Sequence, residues 1–85
     1  MQKFSYVLTD AEGIHARPAG ELVKQAKGYK SKVMISKDGK SVNAAKILAV
    51  MSLGAKQGQT VEFTIEGEDE VQAAAELEAF MKANL

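Results

Sequence analysis

The chain has 85 residues with 11 basic and 11 acidic side chains, so it carries no formal net charge, and it has one histidine and no cysteine. That length supports a single domain, 1–85, with one modest core. The charge balance argues against non-specific nucleic-acid binding, and the missing cysteines exclude disulfides and thiolate metal sites.

No apolar run approaches the ~18 residues of a membrane span. The opening Met1-Gln2-Lys3-Phe4 lacks the apolar stretch of a signal peptide. A cytoplasmic protein without membrane insertion is expected.

Phe4, Tyr6 and Leu8 alternate with Ser5 and Val7, which predicts a half-buried strand. Thr9 to Gly13 is polar and reads as a loop. From Ala16, apolar residues recur as Ala16, Ala19, Leu22, Val23 and Ala26, the buried stripe of a helix. Pro18 suits its first turn and Gly28 its end. Val33, Met34 and Ile35 predict a second strand, and Asp38-Gly39 is a strong hairpin signal leading to Ser41-Val42. A short helix is expected over 44–53, closed by Gly54. Val61, Phe63 and Ile65 alternate with polar residues as a last strand, bounded by Gly58 and Gly67. Asp69 with Gln72 resembles a capping box opening a third helix, whose expected stripe is Val71, Ala74, Leu77 and Phe80 or Met81. The order β-α-β-β-α-β-α points to an α+β fold, a four-stranded antiparallel sheet covered on one face by three helices.

His15 lies where the loop meets the first helix, in Gly13-Ile14-His15-Ala16-Arg17-Pro18. A helix start offers amides without intrahelical partners and a dipole that favours anions. Imidazole exchanges groups near neutral pH, and the Arg17 guanidinium suits phosphate oxygens. A helix built for stability alone would use a better N-cap than histidine and would not place Arg17 against the dipole. A bound anion resolves both oddities, so His15 reads as a carrier of a phosphoryl group, with the Ala16 and Arg17 amides and the Arg17 side chain stabilising it. One histidine without cysteine supports no metal site, no cofactor is implied, and no Gly-x-Ser-x-Gly elbow appears.

The hexapeptide closely resembles the active-site segment of HPr, the histidine-containing phosphocarrier family of the bacterial phosphoenolpyruvate:sugar phosphotransferase system. The likeness continues through Lys40-Ser41-Val42-Asn43, Val50-Met51-Ser52-Leu53-Gly54 and Gly67-Glu68-Asp69-Glu70, in order and over essentially the whole chain. The resemblance implies an open-faced β-sandwich and a monomer. It also implies phosphorylation at His15 Nδ1, with enzyme I as donor and sugar-specific enzyme IIA domains as acceptors. The protein would then be a co-substrate in transfer, not an enzyme with its own small substrate. The alternative is an HPr-like regulatory paralogue that signals by its phosphorylation state. A small RNA-binding domain would need an aromatic platform and basic face that the chain lacks.

Two residues depart from the family pattern. Many HPr proteins carry serine or asparagine where this chain has Glu12. A carboxylate cannot donate toward a phosphoryl group, so Glu12 is expected to turn to solvent. Members controlled by HPr kinase/phosphorylase carry a target serine where this chain has Lys46, so that regulatory site is expected to be absent.

The short second helix is apolar nearly all round. Val50 and Leu53 are expected to face the core, leaving Ile47, Leu48 and Met51 as a docking patch, as the resemblance also implies. Lys24, Lys27, Arg17 and Lys46 would form a basic rim suited to acidic partners.

Overall fold

The computed structural model describes residues 1–85, with strands β1 (Gln2–Val7), β2 (Lys32–Lys37), β3 (Lys40–Asn43) and β4 (Thr60–Glu66). The helices are α1 (Ala16–Lys27), α2 (Ile47–Ser52) and α3 (Glu70–Asn84). The strands form one antiparallel sheet in the order β1-β4-β2-β3. Because β1 and β2 both pair with β4, the β1-α1-β2 unit is split around a central strand.

Register decides which face is buried. Phe4 lies opposite Phe63 and Ile35 opposite the same residue, so alternate positions of three strands point toward the helices. Phe63 is fully buried, and its ring stacks on Phe4 with centroids 4.8 Å apart. Val33, Ile35, Val61 and Ile65 join it from the sheet, Leu22, Val23 and Ala26 from α1, and Leu77 and Met81 from α3. Ser5 and Glu62 are exposed on the other, uncovered face. The α+β open-faced arrangement expected from the sequence is therefore the one observed.

The β2–β3 turn places Asp38 at φ 51° and Gly39 at φ 83°, the two positive values that a two-residue hairpin of this hand requires. Aspartate tolerates that region better than most residues and glycine tolerates it freely.

Five local expectations need correction. The second helix starts at Ile47, not at residue 44, because Ala44 N donates to Val33 O (2.9 Å) and the Asn43 side chain accepts from Ala45 N (2.8 Å). Those bonds extend the sheet and a turn where alanine propensity alone favours helix. Ala16 is exposed, and Pro18 is buried with Ala19, Leu22, Val23 and Ala26. In α3 the buried stripe is Ala73, Leu77 and Met81, whereas Val71 is 68% exposed.

Lastly, Asp69 makes no side-chain cap. Its carboxylate reaches across to accept from Lys30 N, Ser31 N and Ser31 Oγ (2.9, 2.9 and 2.5 Å), tying α3 to the start of β2. The Ser31 hydroxyl, and after it the Lys30 amide, holds that carboxyl below its ordinary range. The Glu70 side chain, one residue later, accepts from Gly67 N at 3.2 Å. Gly28 ends α1 in a right-handed conformation (φ −77°), so its conformational freedom is not what stops the helix.

Candidate functional site

Residues 9–15 run from the end of β1 to the start of α1, and hydrogen bonds to two distant segments, the C-terminus and residues 55–57, hold them. Thr9 N and Asp10 N both donate to the Leu85 main-chain oxygen (2.6 and 2.8 Å), and the Thr9 hydroxyl donates to it at 3.0 Å. Ile14 N donates to Ala55 O (3.0 Å), and Gln57 Nε2 to Thr9 O (3.1 Å). Within the loop, Asp10 Oδ1 accepts from Glu12 N (2.8 Å) and Asp10 O from Gly13 N (2.9 Å), the local closure that aspartate favours in turns. Leu8 and Ile14 anchor the two ends in the core.

His15 is the N-cap residue of α1, extended at φ −117° and ψ 179°. Its carbonyl accepts from Ala19 N (2.9 Å), but its side chain makes no cap. The ring is thus held at a helix start without being consumed by it, and remains about one-third exposed, at 36%. Ala16 and Arg17 offer the first two helix amides, Pro18 has no N–H, and the first turn contains no acidic residue. The exposed Arg17 side chain forms no ion pair. An imidazole, two free amides and an unpaired guanidinium therefore share one helix end, an arrangement suited to an oxyanion.

Both ring nitrogens face carboxylates. Glu12 Oε2 lies 3.2 Å from Nδ1 and Asp10 Oδ2 lies 3.7 Å from Nε2. The expectation that Glu12 turns away is wrong: its side chain is 72% exposed, yet it folds back against the imidazole. Asp10 escaped notice in the sequence because aspartate in a polar loop reads as a turn former, and its spacing from His15 matches no motif. Ligand atoms of Asp10, Glu12 and His15 fall within 4.8 Å of one another.

The other candidates divide into two groups. On α2, Val50 and Leu53 are buried as expected, while Ile47, Leu48 and Met51 are 40%, 81% and 38% exposed. Lys46 is the exposed N-cap residue of α2 and has no hydroxyl. α2 packs beside α1, so this apolar group and the His15 end belong to neighbouring helices. Lys24 and Lys27 are exposed near the far end of α1, roughly 14 and 18 Å along the axis from His15. Lys24 also lines a groove between α1 and α3 with Glu21, Tyr29, Glu76 and Phe80. The basic rim is accordingly spread along α1 and not gathered at the histidine.

In that groove Tyr29 donates to Glu76 (2.7 Å) and accepts from Gln25 (3.0 Å). Partial burial, then the Glu76 bond, pushes the Tyr29 phenol up. Bonds from Gln72 and then Tyr29 hold the Glu76 carboxyl down.

The model of the phosphotransferase-system HPr component phosphorylation site matches residues 2–83. The chain belongs to the HPr family. It is 40% identical over 74 residues to the phosphocarrier protein HPr of Buchnera aphidicola subsp. Acyrthosiphon pisum, covering 87% of each chain. Among solved structures, HPr-C-His from Thermoanaerobacter tengcongensis superposes with a TM-score of 0.93 at 36% identity, over 98% of this chain and 93% of that one. Crh, a catabolite-repression protein of Bacillus subtilis described as a domain-swapped dimer, gives 0.78 at 36% identity, over 94% and 92%. Membership in the HPr family supports a phosphocarrier role in the phosphotransferase system for the chain as a whole.

Proposed function

We propose that this HPr-family chain accepts a phosphoryl group on His15 from phospho-enzyme I and passes it to sugar-specific enzyme IIA domains. The observation that carries the reading is the exposed His15 ring at the start of α1, beside two free amides and an unpaired Arg17. In the transfer, a neutral His15 nitrogen attacks phosphorus as the donor's N–P bond breaks, and the departing imidazole keeps the bonding electron pair. By family resemblance the attacking atom is Nδ1. The loose, anionic transition state gains from the Ala16 and Arg17 amides and from the guanidinium. Incubation with phosphoenolpyruvate and active enzyme I should add one phosphoryl mass that mild acid removes. No gain, with an HPr control fully labelled, would overturn the assignment.

Arg17→Ala should still accept the group but transfer it at a rate lowered by roughly 10²-fold, the usual cost of removing one transition-state donor. Unchanged rates to a IIA domain would remove Arg17 from the mechanism.

Docking is assigned to Ile47, Leu48 and Met51, whose exposure on a helix beside the His15 end gives an acidic or apolar partner a place to seat. Lys46 and Lys27 would steer its approach, with Lys24 a weaker contributor because it faces the α1–α3 groove. Leu48→Ser should weaken enzyme I binding by roughly tenfold while leaving chain stability unchanged. Equal affinities in titration calorimetry would place the partner elsewhere.

The carrier is taken to act as a cytoplasmic monomer. A regulatory role through phosphoserine is disfavoured because Lys46 stands where the family's kinase target would be. The likeness to Crh, a catabolite-repression protein, keeps a regulatory paralogue that signals by its phosphorylation state as the second reading. Normal sugar uptake with altered regulation in a deletion strain would favour it.

A further inference from the structure

Glu12 sits against the nitrogen that the carrier reading makes nucleophilic. Its Oε2 is 3.2 Å from Nδ1, while its own amide is pinned to Asp10 Oδ1 at 2.8 Å. The backbone is thus fixed, whereas the side chain, 72% exposed, is free to swing into water. We propose that Glu12 is a charge gate on His15, which holds a proton on Nδ1 in the resting chain and repels the phosphoryl group once it is attached.

The inference rests on the carrier reading and adds to it a positioning residue. A neutral imidazole has one N–H and one lone pair. A carboxylate oxygen close to Nδ1 favours the N–H there, because a lone pair facing an anionic oxygen is repulsive. Asp10, farther away at 3.7 Å, faces the other nitrogen. Loading then requires two rearrangements: the proton moves through solvent from Nδ1 to Nε2, toward Asp10, and Glu12 leaves the ring. The Nδ1–P bond forms as the donor's N–P bond breaks, with no net proton gained or lost.

In the loaded form, Glu12 and the phosphoryl oxygens are like charges confined to one loop. Their repulsion raises the free energy of the phosphorylated chain, so loading is less complete and onward transfer more favourable. A gate of this kind trades the stability of the phosphohistidine for donor strength.

Glu12→Gln retains the shape and removes the charge. At a fixed ratio of phospho-enzyme I to carrier, the equilibrium constant for loading should rise roughly tenfold in this variant, the scale of one like-charge interaction at contact through water. The gap between wild type and variant should shrink with salt. Long-range 1H–15N spectra of the unphosphorylated chains should report the ring proton on Nδ1 in wild type and a shift toward Nε2 in Glu12→Gln, a readout that a merely structural role would not move. Equal loading constants and identical tautomers would overturn the gate alone. Failure of both chains to gain acid-labile phosphate beside a labelled HPr control would overturn the carrier reading, and the gate with it.

Discussion

His15→Ala is expected to abolish all enzyme I-dependent labelling while leaving the fold in place. The two halves of that result have separate physical origins. The only imidazole in the chain is removed, and the neighbouring Arg17 guanidinium stays protonated and is a poor nucleophile, so no residual acid-labile phosphate should be detectable. What His15 contributes to structure is mainly its backbone. Its carbonyl accepts from Ala19 N and its extended φ,ψ suit alanine, while its ring makes no cap. Its ring meets only the partly exposed carboxylates of Glu12 and Asp10, surface contacts of small net value, so stability should stay within about 1 kcal/mol of wild type. Mass spectrometry after enzyme I treatment, with thermal unfolding on the same preparation, checks both halves. Retained label on a folded variant would move the acceptor to another residue. Lost label with a collapsed melting temperature would mean that the ring holds the loop more strongly than its surface contacts to Asp10 and Glu12 provide.

The sequence was legible wherever a local pattern was also the tertiary one. Strand alternation located Phe4 and Tyr6 in one strand and Val61, Phe63 and Ile65 in another on one face, because a pleated strand has only two faces to choose from, whereas the run Val33-Met34-Ile35 marked a strand without saying which face it buries. Asp38-Gly39 fixed a turn for the same reason: few dipeptides reach two positive φ values. Helix faces were less secure. Ala73, Ala74, Ala75 and Ala79 leave α3 apolar on several sides, so the stripe that faces the sheet is chosen by distant ties such as Asp69 to Ser31 and not by periodicity. The early start given to α2 failed similarly, since Ala44 answers to Val33 across the sheet.

At the candidate site, His15 and Arg17 could be read because their chemistry conflicts with ordinary capping. Asp10, Leu85 and Ala55 could not. The Thr9 hydroxyl and Leu85 are 76 residues apart in sequence, and no local spacing encodes that contact. Glu12 was visible as a departure from its family, but its direction was not, because an exposed carboxylate can point either way until the loop is folded.

Gly13→Ala should be the most damaging single-methyl change near the site. Gly13 has φ 66°, a left-handed conformation that costs an alanine roughly 1–2 kcal/mol. The added methyl would also land on the Ala55 carbonyl oxygen and come within 2.6 Å of Lys56 Cα, both backbone atoms that cannot rotate away. Relief requires parting the loop from residues 55–56 and straining the neighbouring bond from Ile14 N to Ala55 O. Together these effects should cost about 2–4 kcal/mol, lowering Tm by roughly 10–25 °C for a domain of this size. The functional loss should exceed the folding loss. At a temperature where the variant is still folded, His15 would sit at a displaced helix start, and transfer should slow further than the folded fraction explains. Single-turnover phosphorylation on the folded variant separates the two. Wild-type transfer rates there would mean that the 13–55 contact supports the fold without positioning the histidine.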